Sequence, residues 1–329
     1  MVSIKDVAKH AGVAISTVSK VLNNYPGISD ETRKKVNKSI EELQFVPNTI
    51  AAALSSKQSG RVALLINMIT QTQAIDEIDM QYLSGALHKA RELGLDVITV
   101  FFSMIEEKSA EEITAYLQSQ NVTGIVIYGI SKDDKVLHRL VGMQKFKAVV
   151  VDAPLVNPGT SAVWVDQKKA QMEVARKTIL ENTGDRVLYI TGKKNGYVTQ
   201  ERLLGMKQLA EELNLKLLVR CGNFSEKQAR ELTFQYAAKR DVVVCASDLM
   251  AIGAMRALIE MDIFRPVCGF DGITLMGYAG KQMNTVRQDF SAISALAVEE
   301  LHRLLQGQEG RQVIAPHTLV RMRYEDIIR

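Results

Sequence analysis

At 329 residues the chain exceeds what a single hydrophobic core ordinarily serves, so two or three domains are expected. Hydrophobic residues at 47% and charged residues at 24% exclude a disordered or fibrous chain, and no run approaches the roughly 20 apolar residues of a membrane span. The net charge of +4 is placed unevenly: residues 1–60 hold eight Lys/Arg against five Asp/Glu, where phosphate contacts would use the excess. The first residues alternate charged and apolar types without the apolar core of a secretory signal, so a cytoplasmic location is expected. Cys221, Cys245 and Cys268 are odd in number and sit in apolar surroundings, which reads as three buried free thiols.

The first element is a helix over 4–11. Ser3 and Asp6 form a capping pair, and Ile4, Val7, Ala8 and Ala11 share one face. Gly12 then supplies a sharp turn, because it alone enters left-handed backbone geometry without steric penalty. A second helix over 15–23 buries Val18, Val21 and Leu22 and shows Ile15, Ser16, Lys20 and Asn23 on its other face. Two short helices joined by a tight glycine turn make a helix-turn-helix, whose second helix lies in the DNA major groove. A third helix starts at the N-cap Ser29, with Asp30 and Glu31 at the positive end of its dipole and Val36, Ile40 and Leu43 inward.

An arbitrary pair of amphipathic helices is more often a packed hairpin with a solvated face. Here the full order of residues decides otherwise, because "SIKDVAKHAGVAISTVSKVLNNYPGISDETRKKVNKSIEELQFVPN" resembles the head piece of the LacI/GalR family of bacterial repressors nearly position for position. The resemblance implies that Ile15, Ser16 and Lys20 read base edges. Their chemistry suits that role, since Lys20 can donate to guanine, Ser16 can donate or accept, and Ile15 can meet a thymine methyl. Thr17, Ser19 and Asn23 are better candidates for phosphate contacts, which fix register without reading sequence. The family commonly has Ser where this chain has Ala14, which removes an N-cap hydroxyl, and Arg where it has Lys20, which weakens bidentate guanine readout.

Pro47 cannot continue the third helix, and 48–55 reads as a short Ala-rich helix, marginal in water by itself. In the family the matching segment folds on the operator and inserts a leucine pair into the minor groove. Leu54 takes that position here, Asn48 is counted with the DNA contacts, and Ala52 stands where many members have Arg. A plain linker is the alternative. The expected organisation is a helix-turn-helix head over 1–46, a hinge helix and linker over 47–60, and a core over 61–329.

From Arg61 short apolar runs alternate with helical stretches, from "VALLINM" and "YLSGALHKARELG" to "LMAIGAMRALIEM" and "PVCGFDG". Alternating strand and helix implies parallel sheets covered on both faces, and the length suggests two such units. Ligands bind such units at the carboxyl ends of the strands, in the crevice between them. The resemblance implies a two-lobed periplasmic-binding-protein-like core with crossings near 157, 288 and 317. That gives an N-lobe of about 61–157 plus 288–316 and a C-lobe of about 158–287 plus 317–329.

Within that crevice the resemblance implies effector contacts from Arg202, Asp271 and Asp248, and an aromatic face from Phe224. Arg and Asp facing across a cleft can grip hydroxyls or a carboxylate, though each could instead form a structural ion pair. Phe224 could equally be core, Gln71 and Gln73 could be amide contacts or plain loop residues, and Trp164 reads as core. Ser247 and Gly272 depart from the family's frequent Asn and Asp, and the loop after the first strand lacks the aromatic residue many sugar-binding members carry.

No G-x-G-x-x-G, P-loop or G-x-S-x-G pattern occurs, and the five histidines are scattered, so neither an enzyme nor a cofactor or metal is expected. The resulting expectation is a dimeric repressor that binds a palindromic double-stranded DNA operator under control of a small, carbohydrate-related metabolite. Control by a partner protein is the alternative, and a transport-type solute-binding protein is a distant third. No membrane partner is expected.

Overall fold

The computed structural model describes residues 2–22, 25, 27–45, 61–67, 73–279 and 282–322, the side chains of 73–76 excepted. The chain forms two units, Met1–Ser59 and Gly60–Arg329.

In the first unit, α1 spans Ile4–Ala11, α2 Ile15–Leu22 and α3 Asp30–Glu42. The N–H and hydroxyl of Ser3 both donate to Asp6 Oδ2, at 2.8 and 2.7 Å, which fixes the start of α1. Gly12 follows at φ 65° and turns the chain into α2. Ser29 Oγ accepts from the Thr32 N–H at 3.3 Å and caps α3. Val7, Ala8, Val18, Val21, Val36 and Phe45 close the core, one small apolar cluster fed by all three helices.

The second unit contains two sheets. The first takes β1 (Arg61–Ile66), β2 (Val97–Phe101), β3 (Val122–Tyr128), β4 (Lys147–Val151), β5 (Thr160–Val165) and β11 (Gln312–Ala315) in the order β11-β5-β4-β3-β1-β2, all parallel. The second takes β6 (Arg186–Thr191), β7 (Lys216–Cys221), β8 (Val242–Cys245), β9 (Val267–Cys268), β10 (Met283–Gln288) and β12 (His317–Met322) in the order β12-β10-β9-β8-β6-β7. Only the β10–β12 pair is antiparallel. The strands read as continuous apolar runs because both faces are covered. Along β1, Ala63 and Leu65 pack into one cluster and Val62, Leu64 and Ile66 into another.

Helices α4 (Gln73–Glu92), α5 (Ala110–Ser119), α6 (Lys135–Gly142) and α11 (Phe290–Leu305) belong with the first sheet. Helices α7 (Gln167–Leu180), α8 (Tyr197–Glu212), α9 (Glu226–Tyr236) and α10 (Asp248–Glu260) belong with the second. The sheets define the two lobes, and the chain passes between them three times: at Asp166, at Asp289 and at Pro316.

The first crossing corrects the expected position near 157. Pro158 and Gly159 only turn the chain into β5, with Asn157 and Thr160 exchanging backbone hydrogen bonds at 3.1 and 3.0 Å. β5 then pairs with β4 and β11 of the N-lobe sheet, and its Val163 and Val165 are fully buried. Burial of a strand on both edges outweighs the local turn signal. The cysteine expectation is corrected as well: Cys245 and Cys268 are buried, but Cys221 is exposed at the end of the edge strand β7.

Gly12→Val places a branched side chain at positive φ, where the left-handed region costs roughly 1–2 kcal/mol. Hydrogen exchange of the α1 and α2 amides in the full chain should accelerate about tenfold or more, with the amides of 61–322 unchanged.

Candidate functional site

Helix α2 is two-sided. Val18 is fully buried and Val21 nearly so, whereas Ile15 is 44% exposed and Ser16 and Lys20 are also exposed. Thr17 and Ser19 lie half-buried at the margin. The Thr17 and Val18 N–H groups donate to the Ala14 carbonyl at 2.9 and 3.2 Å, so Ala14 takes the N-cap position without a capping hydroxyl. Asn23, Asn48 and Leu54 lie outside the described residues.

Between the lobes lies a cavity of about 260 Å³. The N-lobe lines it with Asn67 after β1, with Ile78, Asp79 and Tyr82 of α4, and with Tyr128 and Asp152 at the ends of β3 and β4. The C-lobe adds Val198 and Arg202 of α8, Phe224 after β7, Asp271 after β9, and Gln288 at the end of β10. These are carboxyl ends of parallel strands, where crossover connections leave a crevice.

Arg202 is 4% exposed. Its Nε donates to Gln167 Oε1 at 2.8 Å, its Nη1 to the Ala246 carbonyl, and its Nη2 to Asp271 Oδ1 at 3.4 Å. The guanidinium carbon stacks 3.6 Å from the Phe270 ring centroid. Gln288 Nε2 donates to the same Asp271 oxygen at 3.0 Å, and Gln167 Nε2 reaches Asp152 Oδ1 at 3.3 Å and Gln288 Oε1 at 3.4 Å. Tyr82 donates its hydroxyl to Asp152 Oδ2 at 3.2 Å. A single hydrogen-bonded network therefore runs from the N-lobe through two crossing segments into the C-lobe.

Burial pushes Asp271 up to about 6, with Arg202 opposing and Asp152 adding repulsion. Burial also raises Asp152, again opposed by Arg202. Both Asp152 and Asp271 sit at positive φ, 62° and 120°, conformations costly to side-chain-bearing residues and held here by the surrounding strands. The Phe224 ring lies over Gly192, where an added Cβ would come within 2.0 Å of ring carbon Cζ. Glycine at 192 is what lets the ring reach the cavity.

The structure thus brings Arg202, Asp271 and Phe224 together in the crevice. It does not bring Asp248 there. That carboxylate is fully buried behind the Asp271 turn: Oδ2 accepts from the Gly272 and Ile273 N–H groups at 2.7 and 3.0 Å, and Oδ1 from the Thr285 hydroxyl at 2.6 Å. All of its acceptor directions face protein, so the expected effector contact is corrected to a positioning role. Gln71 and the side chain of Gln73 lie outside the described residues, and Trp164 lies on β5 beside Ile314 of β11, away from the cavity lining.

Sequence reasoning missed Asp152, Tyr82, Tyr128, Gln167 and Gln288. For Asp152 a signal existed: a carboxylate ending the apolar run "KAVVVD". The aromatic face absent from the loop after β1 is supplied elsewhere. Tyr82 stands 4.8 Å from Tyr128 and 5.3 Å from Phe290, centroid to centroid.

A helix-turn-helix head and a two-lobed α/β core with a polar crevice define a DNA-binding regulator with a ligand-binding body. Residues 3–48 match the family model for bacterial regulatory proteins of the lacI family, and residues 80–318 match that for periplasmic binding proteins and the sugar binding domain of the LacI family. The chain belongs to the LacI family of bacterial transcriptional regulators. It is 28% identical to the lactose operon repressor of Escherichia coli (strain K12), over 97% of this chain and 89% of that one. A crystal structure of the lac repressor dimer bound to operator and the anti-inducer ONPF shares the fold, with a TM-score of 0.82 at 24% identity over 98% and 99% of the two chains. A complex of the transcriptional regulator CelR with cellobiose aligns at a TM-score of 0.70, 25% identical over 98% and 99%. Among the described residues no helix is long and apolar enough to cross a membrane.

Burial pushes Asp248 up to about 7, with repulsion from Asp271 adding to it. A carboxyl whose folded value lies above its unfolded 3.8 favours the folded state fully below 3.8 and loses that contribution as pH rises towards 7. Asp248→Asn should therefore flatten the fall in the urea midpoint between pH 4 and pH 7. At neutral pH it should also cost about 1–3 kcal/mol, because an amide cannot accept all three hydrogen bonds.

Proposed function

We propose that this protein is a cytoplasmic, homodimeric repressor that binds a palindromic DNA operator and releases or tightens that grip when a small polyhydroxy metabolite enters the interlobe crevice. The observation that carries the reading is the sidedness of α2, whose buried valines fix the helix while Ile15, Ser16 and Lys20 stay exposed as a base-reading face. Two heads would meet half-sites about one helical turn apart, ~10 bp. Leu54 would serve as the minor-groove wedge and Asn48 as a hinge contact.

In the crevice, Asp152 and Asp271 offer carboxylate acceptors, Gln288 an amide, and Tyr82, Tyr128 and Phe224 aromatic surface. Acceptors beside rings suit a hydroxyl-bearing ligand with an apolar face. A ligand shifts the DNA-binding equilibrium only through its different affinity for two lobe arrangements. A cleft of about 260 Å³ that combines buried polar groups with aromatic rings favours a small molecule over a partner protein as the signal.

Helix α4 supports a dimer face. Tyr82 itself turns inward, 6% exposed, whereas Met80 at 57% and Leu87 at 50% lie two turns apart on the outer side. Two large apolar groups held in water at helical spacing mark an association surface. Leu87→Glu should shift the purified protein towards monomer in analytical ultracentrifugation and weaken operator binding at least tenfold. A dimer unchanged in mass would remove α4 from the interface.

Selection of bound duplexes from random DNA, followed by a thermal-shift screen of metabolites against the purified dimer, tests the whole reading. No preference for any duplex over random competitor would overturn it. Lys20→Ala should relax base preference at one operator position at a cost of about 1–3 kcal/mol. An equal loss on all sequences would show that Lys20 meets only phosphate.

A further inference from the structure

The two lobes are joined across the crevice by contacts of unequal kind. On one side the loop after β3 meets the loop that leads into α8. The Lys132 N–H donates to the Asn195 carbonyl at 3.0 Å, Ser131 and Gly196 form a β-bridge, and the Tyr197 hydroxyl lies 3.4 Å from the His138 ring. Side chains join that main-chain seam: Lys132 Nζ donates to Gln200 Oε1, and Asn195 Nδ2 donates to Asp133 Oδ2.

Besides the Gln167–Asp152 hydrogen bond beside the cavity, a further contact between the lobes depends on one side chain. Glu77 projects from α4 of the N-lobe, two residues before Asp79 of the cavity lining. Its Oε1 and Oε2 each lie 3.1 Å from the Thr274 N–H, and Oε1 accepts from the Thr274 hydroxyl at 2.7 Å. Thr274 opens a short 3₁₀ helix, Thr274–Tyr278, three residues beyond Asp271 in the C-lobe. The first N–H of such a turn has no partner within it, so an external carboxylate supplies one. Gln81, one turn along α4, donates Nε2 to Glu77 Oε1 at 3.4 Å and steadies it.

From this geometry we infer that Glu77 is an interlobe latch: its grip on Thr274 sets how closely the lobes approach beside Asp271, and its release opens a path to the cavity. The residues on either side of the latch explain its leverage. Glu77 shares a helical turn with Ile78 and Asp79, and Thr274 continues the turn built by Asp271, so a change at the latch moves lining residues from both lobes at once. Charge-assisted hydrogen bonds to a single residue are strong when formed and lost together. The latch rests on the N–H and hydroxyl of one residue. Its bearing on DNA binding rests on the proposed effector-controlled repressor, whereas the latch itself rests on the hydrogen bonds alone.

The test uses the full chain with Cys221→Ser, carrying spin labels at Gln118→Cys on α5 and Lys227→Cys on α9, both exposed positions on different lobes. Pulsed electron spin resonance reads the interlobe distance. Glu77→Ala should move the distribution to longer distances, and Thr274→Val should move it part of the way, because the N–H remains. Thr274→Ser should keep the parent distribution, and the double variant Glu77→Ala/Thr274→Val should go no further than Glu77→Ala.

Parent-like distributions in both Glu77→Ala and Thr274→Val would overturn the latch. If Glu77→Ala folds poorly, Thr274→Val breaks the hydroxyl contact from the opposite lobe and decides the matter. Operator affinity measured on the same samples separates the two ideas. Wider lobes with unchanged operator affinity would leave the latch standing and remove the coupling of lobe angle to DNA binding.

Discussion

A guanidinium kept almost wholly out of water has to be matched on every side, and Arg202 is that group here. An unpaired buried charge costs several kcal/mol, so its neighbours are constrained to be acceptors. Gln167, the Ala246 carbonyl and Asp271 meet that demand, and the Phe270 ring covers the remaining face. Gln167 begins α7 just after the first crossing and Gln288 ends β10 just before the second. Satisfying one arginine therefore ties the C-lobe cavity wall to the segments about which the lobes would turn.

The same economy appears behind the wall. Asp271 holds a φ of 120°, and the turn that follows it is pinned by Asp248, which accepts hydrogen bonds from the next two N–H groups. Two carboxyls thus divide the work, one facing the cavity and one facing the fold. Burial raises both, which makes their protonation part of the stability of the wall.

In the head the division is geometric. One side of α2 is sealed by Val18 and Val21 against α1 and α3, which fixes the rotation of the helix about its axis. The opposite side then has no freedom to choose what it shows. The base-reading role proposed for that side would need a rigid face to discriminate among bases by hydrogen-bond geometry, and a valine-packed rod supplies rigidity.

The sequence by itself determined the local and the alternating. The Ser3–Asp6 pair, Gly12 and Ser29 act over three or four residues, so the helices of the head were legible from spacing alone, and the apolar runs of the core announced parallel strands. Arg202, Asp271 and Phe224 were found because their surroundings match a family pattern. Only the tertiary structure decided that Thr160–Val165 stays with the N-lobe, since strand pairing to Lys147–Val151 and Gln312–Ala315 is a long-range contact that no local turn encodes. It alone turned Asp248 into a buried brace and brought Asp152, Tyr82, Gln167 and Gln288 to the crevice. Hydrogen bonds between residues 15 to 121 positions apart join these groups, and direction in space, unlike periodicity, is not written in any short stretch of chain.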